Sequence, residues 1–181
     1  MAGEYVFNLQ NLTKQYNKVN VLDDVSLAFY YGAKIGVIGA NGSGKSTLLR
    51  ILAGEDTDFM GQALIARNVR IGLLPQEPRL NPTKDVAGNV EEGVGQARAI
   101  LERYDRVCDL LAEKGRSAEE TERLNEELGR LQDKIDSEDL WDLDHSVEVA
   151  MEALRLPPAD APVEKLSGGE KRRVALCRLL I

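Results

Sequence analysis

The residues with the clearest chemical potential form a glycine-rich segment at positions 39–47. Gly39 is followed after four residues by Gly44, and then directly by Lys45 and Ser46. Glycines at this spacing let backbone N–H groups surround phosphate oxygens, while the lysine neutralises phosphate charge and the serine hydroxyl can bind Mg²⁺. The pattern predicts a phosphate-binding loop, with a plain glycine-rich turn as the alternative. The candidate binding residues are Gly39, Ala40, Asn41, Gly42, Ser43, Gly44, Lys45, Ser46 and Thr47.

A second candidate segment, residues 166–170, has the sequence Leu-Ser-Gly-Gly-Glu and precedes a helix-spaced apolar run. The apolar spacing after the segment predicts a helix that opens just after the pair Gly168 and Gly169.

Several strands must position the first loop. Short, partly alternating apolar runs in the first 35 residues predict a small antiparallel sheet. Residues 34–38 form a continuous apolar run typical of a strand buried on both faces, and they lead directly into the glycine-rich loop. A helix is predicted over residues 46–52, ending near Gly54, followed by strands at 62–66 and 69–74.

Beyond about residue 90 the apolar spacing changes to that of helices. Two amphipathic helices are predicted within residues 98–136, and Ser117 with Glu120 fits a capping box at the start of the second. The two would form an antiparallel hairpin, each helix about 30 Å long. A further helix is expected at 146–154. The predicted division is a phosphate-binding core at 1–90, an inserted arm at 91–145 and a helical subdomain at 146–181.

Composition and charge exclude several classes of protein. The 181 residues carry a net charge of −7, and positions 91–145 hold 17 acidic against 8 basic residues, so the sequence has no overall basic footprint for nucleic acid. Two distant cysteines and one histidine argue against a disulfide scaffold and a zinc cluster. With no long apolar run and no signal-peptide pattern at the start, we expect a cytoplasmic protein without a membrane segment.

Together the two motifs resemble the ATP-binding cassette (ABC) family. The resemblance implies an α/β phosphate-binding-loop fold with an antiparallel β subdomain and an inserted helical hairpin. It also implies ATP and Mg²⁺ as cofactors and a second cassette whose nucleotide meets Ser167, Gly168 and Gly169. Gln76, otherwise a turn residue, would contact magnesium and the attacking water. Tyr16, otherwise an exposed loop residue, would stack on adenine, and Lys45 and Gln76 would act in catalysis.

The length of the helical region indicates a subfamily. Gln76 and Leu166 are 90 positions apart, which leaves room for the acidic arm. An arm at this place resembles the F subfamily, whose members act on ribosomes and carry no membrane domain. The resemblance implies ATP hydrolysis coupled to translation elongation. It also implies contacts near the ribosomal tRNA exit site with the L1 stalk, ribosomal RNA and tRNA.

Three alternatives remain open from the sequence. The chain could be the ATP-binding subunit of a membrane transporter, against which the arm argues, or a nucleotide-binding module without turnover. The acidic arm favours a basic protein surface over RNA, and it could also be a solvated hairpin without a partner. In the family, the catalytic glutamate, the second aspartate-ended strand and the switch histidine would follow Ile181. We therefore expect the 181 residues alone to be inactive as an ATPase.

Overall fold

The computed structural model describes residues 5–67, 69–113 and 115–181. The chain divides into two compact units, Met1–Leu73 and Leu74–Ile181. The first contains a sheet and one helix, and the second is helical. The mixed α/β fold with an antiparallel sheet and a helical hairpin confirms the predicted fold class. The functional division at residues 90 and 145 stays a prediction.

The first unit is built on three antiparallel strands. Strands β1 (Tyr5–Tyr16) and β2 (Val19–Tyr30) form a hairpin, and β3 (Met60–Ile65) pairs with the other edge of β1. The hairpin turn has positive φ at Asn17 and Lys18, which suits the right-handed twist of the flanking strands. Helix α1 (Lys45–Leu52) packs on the sheet. The buried core consists of Leu9, Leu12, Leu22, Leu48 and Ile51.

Two of the predicted strands are absent. Residues 34–38 and 69–74 have no strand pairing, and Ile38 is 96% exposed. The predictions rested on apolar composition. An apolar segment forms a strand only where neighbouring strands satisfy its backbone hydrogen bonds. The strands that the structure describes pair in the order β2–β1–β3, and neither segment joins them.

In the described part of the second unit, residues 74–113 and 115–181, there are five α-helices. They are α2 (Val86–Glu91), α3 (Gly95–Ala112), α4 (Ala118–Glu138), α5 (Leu143–Ala153) and α6 (Gly168–Leu180), with a short 3₁₀ turn at Val163–Lys165. Helix α2 was missing from the sequence prediction, α5 begins three residues earlier than predicted, and α6 includes the glycine pair. The buried core consists of Val86, Val90, Val94, Leu143, Val147, Val163, Val174 and Cys177.

The predicted hairpin is confirmed as α3 and α4. Ser117 and Glu120 form the expected capping box, which satisfies backbone donors at the start of α4. Val107 and Ile135 are fully buried. Arg103 donates two hydrogen bonds to the Glu127 carboxylate across the hairpin, at 2.7 and 2.9 Å. These hydrogen bonds lower the pKa of Glu127 below its ordinary value.

Candidate nucleotide-binding site

The glycine-rich loop ends directly at the first residue of α1. Gly42 and Gly44 both have positive φ, 83° and 86°, a conformation that favours glycine. Gly44 is the N-cap of α1, and no side chain caps the helix. The start of this helix therefore presents backbone N–H groups and the positive end of the helix dipole, which together attract anions.

Gly44 also fixes the loop on the sheet. A Cβ atom at this position would lie 2.8 Å from the backbone oxygen of Val21 and 2.9 Å from Cδ2 of Leu22. Only glycine allows this approach without movement of β2. Val21 lies near the turn at which Tyr16, the last residue of β1, pairs with Val19. The sheet thus holds the glycine-rich loop and the predicted adenine-stacking residue near the same end of the β1–β2 hairpin.

Lys45 lies across the loop. Its Nζ atom donates hydrogen bonds to the backbone oxygens of Gly39 at 2.8 Å and Ala40 at 2.7 Å. A longer contact of 3.4 Å joins it to Oγ of Ser43. The ammonium group therefore lies beside the loop, and phosphate oxygens could replace the two backbone oxygens as its hydrogen-bond acceptors. Ser46 is exposed in the first turn of α1 and Thr47 is half-buried. The hydroxyl of Ser46 fits Mg²⁺, which takes oxygen ligands and relies on few protein side chains.

Tyr16 is held by polar groups that the sequence analysis did not identify. Its hydroxyl donates to Oδ2 of Asp56 at 3.0 Å, while Nζ of Lys14 lies 5.0 Å from the ring centroid. Oδ1 of Asp56 accepts a hydrogen bond from Lys14 at 2.8 Å, and this bond is the main cause of a lowered pKa for Asp56. Because Lys14 and Asp56 are 42 positions apart, no local pattern could have identified them.

Gln76 belongs to the second unit and is exposed. Its backbone oxygen accepts a hydrogen bond from Nε of Arg172, on α6, at 2.8 Å. Arg178 of the same helix donates to the backbone oxygen of Arg79 at 3.1 Å. Two arginines therefore fix the segment after Pro75 to the helix that begins at residue 168. Joint magnesium binding by Gln76 and Ser46 stays a prediction.

Ser167 has a local role besides the predicted one. It is the N-cap of α6, and its Oγ accepts from the backbone N–H of Glu170 at 3.3 Å. The hydroxyl donates to the Glu170 carboxylate at 2.7 Å, which is the main cause of a lowered pKa for Glu170. Anion binding by this hydroxyl requires it to turn away from Glu170. The sequence Ser-x-x-Glu, already used for the capping box at Ser117, could have predicted this arrangement.

The two glycines after Ser167 are not required by the chain's own packing. Both are exposed, and a Cβ atom at Gly168 or Gly169 would meet nothing within 4 Å. Neither has the positive φ that would favour glycine. Both positions are therefore open to a group that approaches from outside.

The fold and this site define a nucleotide-binding domain of the ABC type. The family described as ABC transporter matches residues 22–181, and the chain belongs to this family. At the level of the fold, cbiO1 from Clostridium perfringens, part of the ABC transporter complex cbiONQ, gives a TM-score of 0.57 at 19% identity. That comparison covers 98% of this chain and 61% of the other.

Among curated relatives, the chain is similar to the energy-dependent translational throttle protein EttA. It is 51% identical to EttA of Mycobacterium tuberculosis (strain ATCC 25618 / H37Rv) over 179 residues, 99% of this chain and 31% of the relative. Identity to EttA of Haemophilus influenzae is 46% over 182 residues, 100% of this chain and 32% of the relative. The chain thus spans about a third of the length of these relatives, and the predicted resemblance to the F subfamily is confirmed.

Within the part of the chain that the structure describes, no helix combines the length and the apolar character that crossing a membrane requires.

Proposed function

We propose that this chain is an ATP-binding cassette of a ribosome-associated, cytoplasmic ABC-F factor that regulates translation elongation. The observation that carries the proposal is its similarity over nearly all of its length to proteins named as translational throttles. The phosphate-binding loop and the open glycine pair supply the corresponding chemistry. ATP hydrolysis is expected of the complete protein, and we expect little turnover from these 181 residues alone.

Phosphate binding is assigned to the loop and to the start of α1. The uncapped N–H groups after Gly44 would bind phosphate oxygens, and Lys45 would exchange its bonds to Gly39 and Ala40 for bonds to phosphate. Bound Mg²⁺, held by Ser46 and Gln76, would neutralise phosphate charge. Tyr16, with 44% of its surface exposed, would stack on the adenine base.

A second cassette is the proposed partner of the segment that begins at Ser167. Gly168 and Gly169 are exposed, with nothing within 4 Å of a Cβ atom at either position, and the N-terminus of α6 would attract the γ-phosphate of a nucleotide held by that cassette. The hydroxyl of Ser167 would leave the Glu170 carboxylate and donate to this phosphate. Each nucleotide would then be bound by residues from both cassettes.

The acidic arm is assigned to contact with the ribosome. Its 17 acidic residues against 8 basic ones within positions 91–145 favour a basic ribosomal protein surface. We propose that this surface lies near the tRNA exit site and the L1 stalk. Contacts with ribosomal RNA and tRNA belong to the same proposal. The coding sequence after Ile181 tests it, because a second cassette there supports the proposal. A lone cassette encoded beside membrane-protein genes would contradict it and favour a transporter subunit.

The nucleotide site is tested by replacing Lys45 with alanine. The loop keeps its glycines while the ammonium group is lost, so we expect ATP affinity to fall at least about tenfold in calorimetric titration with Mg²⁺. Lys34→Ala is the matched control, since it removes the same charge from an exposed position outside the loop and should change affinity less than twofold. If Lys45→Ala binds ATP within a factor of two of the unsubstituted chain, this loop is not the phosphate site.

A further inference from the structure

A largely buried ion pair between Lys14 and Asp56 contacts Tyr16, the predicted base-stacking residue. The side chain of Lys14 is only 4% exposed and that of Asp56 is 16% exposed, with Nζ 2.8 Å from Oδ1. The same ammonium group donates to the backbone oxygen of Asp58 and lies 3.3 Å from its carboxylate. The pKa of Lys14 is raised above its ordinary value, chiefly by the hydrogen bond to Asp56. A lysine withdrawn this far from water is tolerated because each of its donors has a partner.

Both members of the pair hold Tyr16. Oδ2 of Asp56 accepts the hydrogen bond of the tyrosine hydroxyl at 3.0 Å, which fixes the distal end of the ring. The ammonium group of Lys14, 5.0 Å from the ring centroid, makes a cation–π contact. Tyr16 as a whole is still 44% exposed. It is thus a tethered but exposed residue with a buried cation beside its ring.

The pair is also connected to the phosphate-binding loop. Asp56 follows the C-terminal end of α1, and its backbone N–H donates to the oxygen of Arg50 at 3.3 Å. The N-terminal end of that helix is the phosphate-binding end. On the sheet, Lys14 pairs with Leu22, whose side chain is one of the groups that Gly44 approaches closely. Both the helix and the strand pairing therefore fix the distance between the loop and the ring.

We propose that Lys14 and Asp56 are positioning residues that hold the Tyr16 ring ready to stack on the nucleotide base. This inference rests on the proposed function, since it names how the base half of that site is organised. A free tyrosine would have to lose rotamer freedom when the base binds, whereas a tethered ring has already lost it. Among the described residues, the polar contacts of the Lys14 and Asp56 side chains involve Tyr16, Asp58 and each other, and none involves the loop at residues 39–47. We therefore expect the pair to act on recognition of the base and not on binding of the phosphates.

The experiment compares ATP with inorganic tripolyphosphate, both with Mg²⁺, by calorimetric titration of the 181-residue chain. We expect Asp56→Asn, which removes the ion pair at nearly constant volume, to weaken ATP binding about five- to tenfold. Tripolyphosphate affinity should stay within twofold, because the loop is intact. Glu55→Gln is the matched control: it neutralises the exposed neighbouring carboxylate and should change neither affinity.

A double substitution separates positioning from general stability. In a Tyr16→Ala background no ring remains to be held, so adding Asp56→Asn should weaken ATP binding no further. Tyr16→Phe, which keeps the ring and removes only the tether, should lose part of the affinity for ATP and none for tripolyphosphate. Equal losses for both ligands, or full additivity of the two substitutions, would overturn the positioning role. Failure of the unsubstituted chain to bind either ligand would overturn the proposed function together with this inference.

Discussion

The contact of Gly44 with β2 allows a matched pair of substitutions. Gly42 and Gly44 have nearly the same φ, 83° and 86°, so alanine at either position is forced into the left-handed region. Their surroundings differ. A Cβ atom at Gly42 would meet nothing within 4 Å, whereas at Gly44 it would lie 2.8 Å from the backbone oxygen of Val21 and 2.9 Å from Leu22. Comparison of the two variants therefore separates backbone strain from steric overlap.

Two free-energy costs follow, one from the backbone angles and one from the distances to Val21 and Leu22. The left-handed conformation costs an alanine about 1–2 kcal/mol, and this term is common to both variants. Overlap with a strand backbone adds about 1–3 kcal/mol at Gly44 alone, since β2 is held by its ladder with β1. We expect Gly44→Ala to destabilise the first unit by about 2 kcal/mol more than Gly42→Ala, equivalent to roughly 30-fold in an opening equilibrium.

Native-state hydrogen exchange measures this difference at the helix that the loop begins. The amides of Leu48 and Ile51 are in the buried part of α1, and their exchange should accelerate roughly 30-fold more in Gly44→Ala than in Gly42→Ala. Equal acceleration in the two variants would show that contact with Val21 and Leu22 does not fix the loop. A larger effect at Gly42 would refute the geometric argument altogether.

Two further predictions concern the arm and the acid stability of the chain. Deleting residues 106–124 and joining the ends through a Gly-Ser linker should leave ATP affinity within twofold in calorimetric titration. This shorter deletion retains the contact between Arg103 and Glu127. Deletion of residues 98–136 also removes Arg98 with its ion pairs to Glu91 and Asp144, so it should lower the melting temperature further. Equal melting temperatures of the two deletion variants would contradict this. The pKa values of Glu92 and Glu127 are lowered in the folded chain, chiefly by hydrogen bonds from Lys84 and Arg103 respectively. The stability that these two carboxylates contribute is therefore present above the ordinary carboxyl pKa. It is lost as the pH falls through their pKa values in the folded chain. The urea midpoint should therefore decline below about pH 4, with a shallower decline in Glu127→Gln, and an unchanged acid slope in that variant would exclude Glu127 as a contributor.

The sequence alone determined those features whose interactions are local. The glycine-rich loop, the capping box at Ser117 and the helices α3 and α4 all depend on residues a few positions apart, so their spacing is visible in the sequence. The same holds for the segment at Ser167, although its serine hydroxyl was assigned only to a phosphate. The capping bond that its Oγ accepts from the backbone N–H of Glu170 could equally have been predicted from the sequence.

The tertiary structure decided what depends on distant partners. Apolar composition predicted a buried strand at 34–38, but a strand exists only where a neighbour accepts and donates its backbone hydrogen bonds, and composition does not name that neighbour. Lys14 reaches Asp56 across 42 positions, and Arg172 reaches Gln76 across 96. No local period encodes such pairs, because the folding of the sheet and the packing of α6 bring them together. The candidate phosphate-binding residues could therefore be named from the sequence, while the residues that hold Tyr16 and Gln76 in place could be found only in the folded chain.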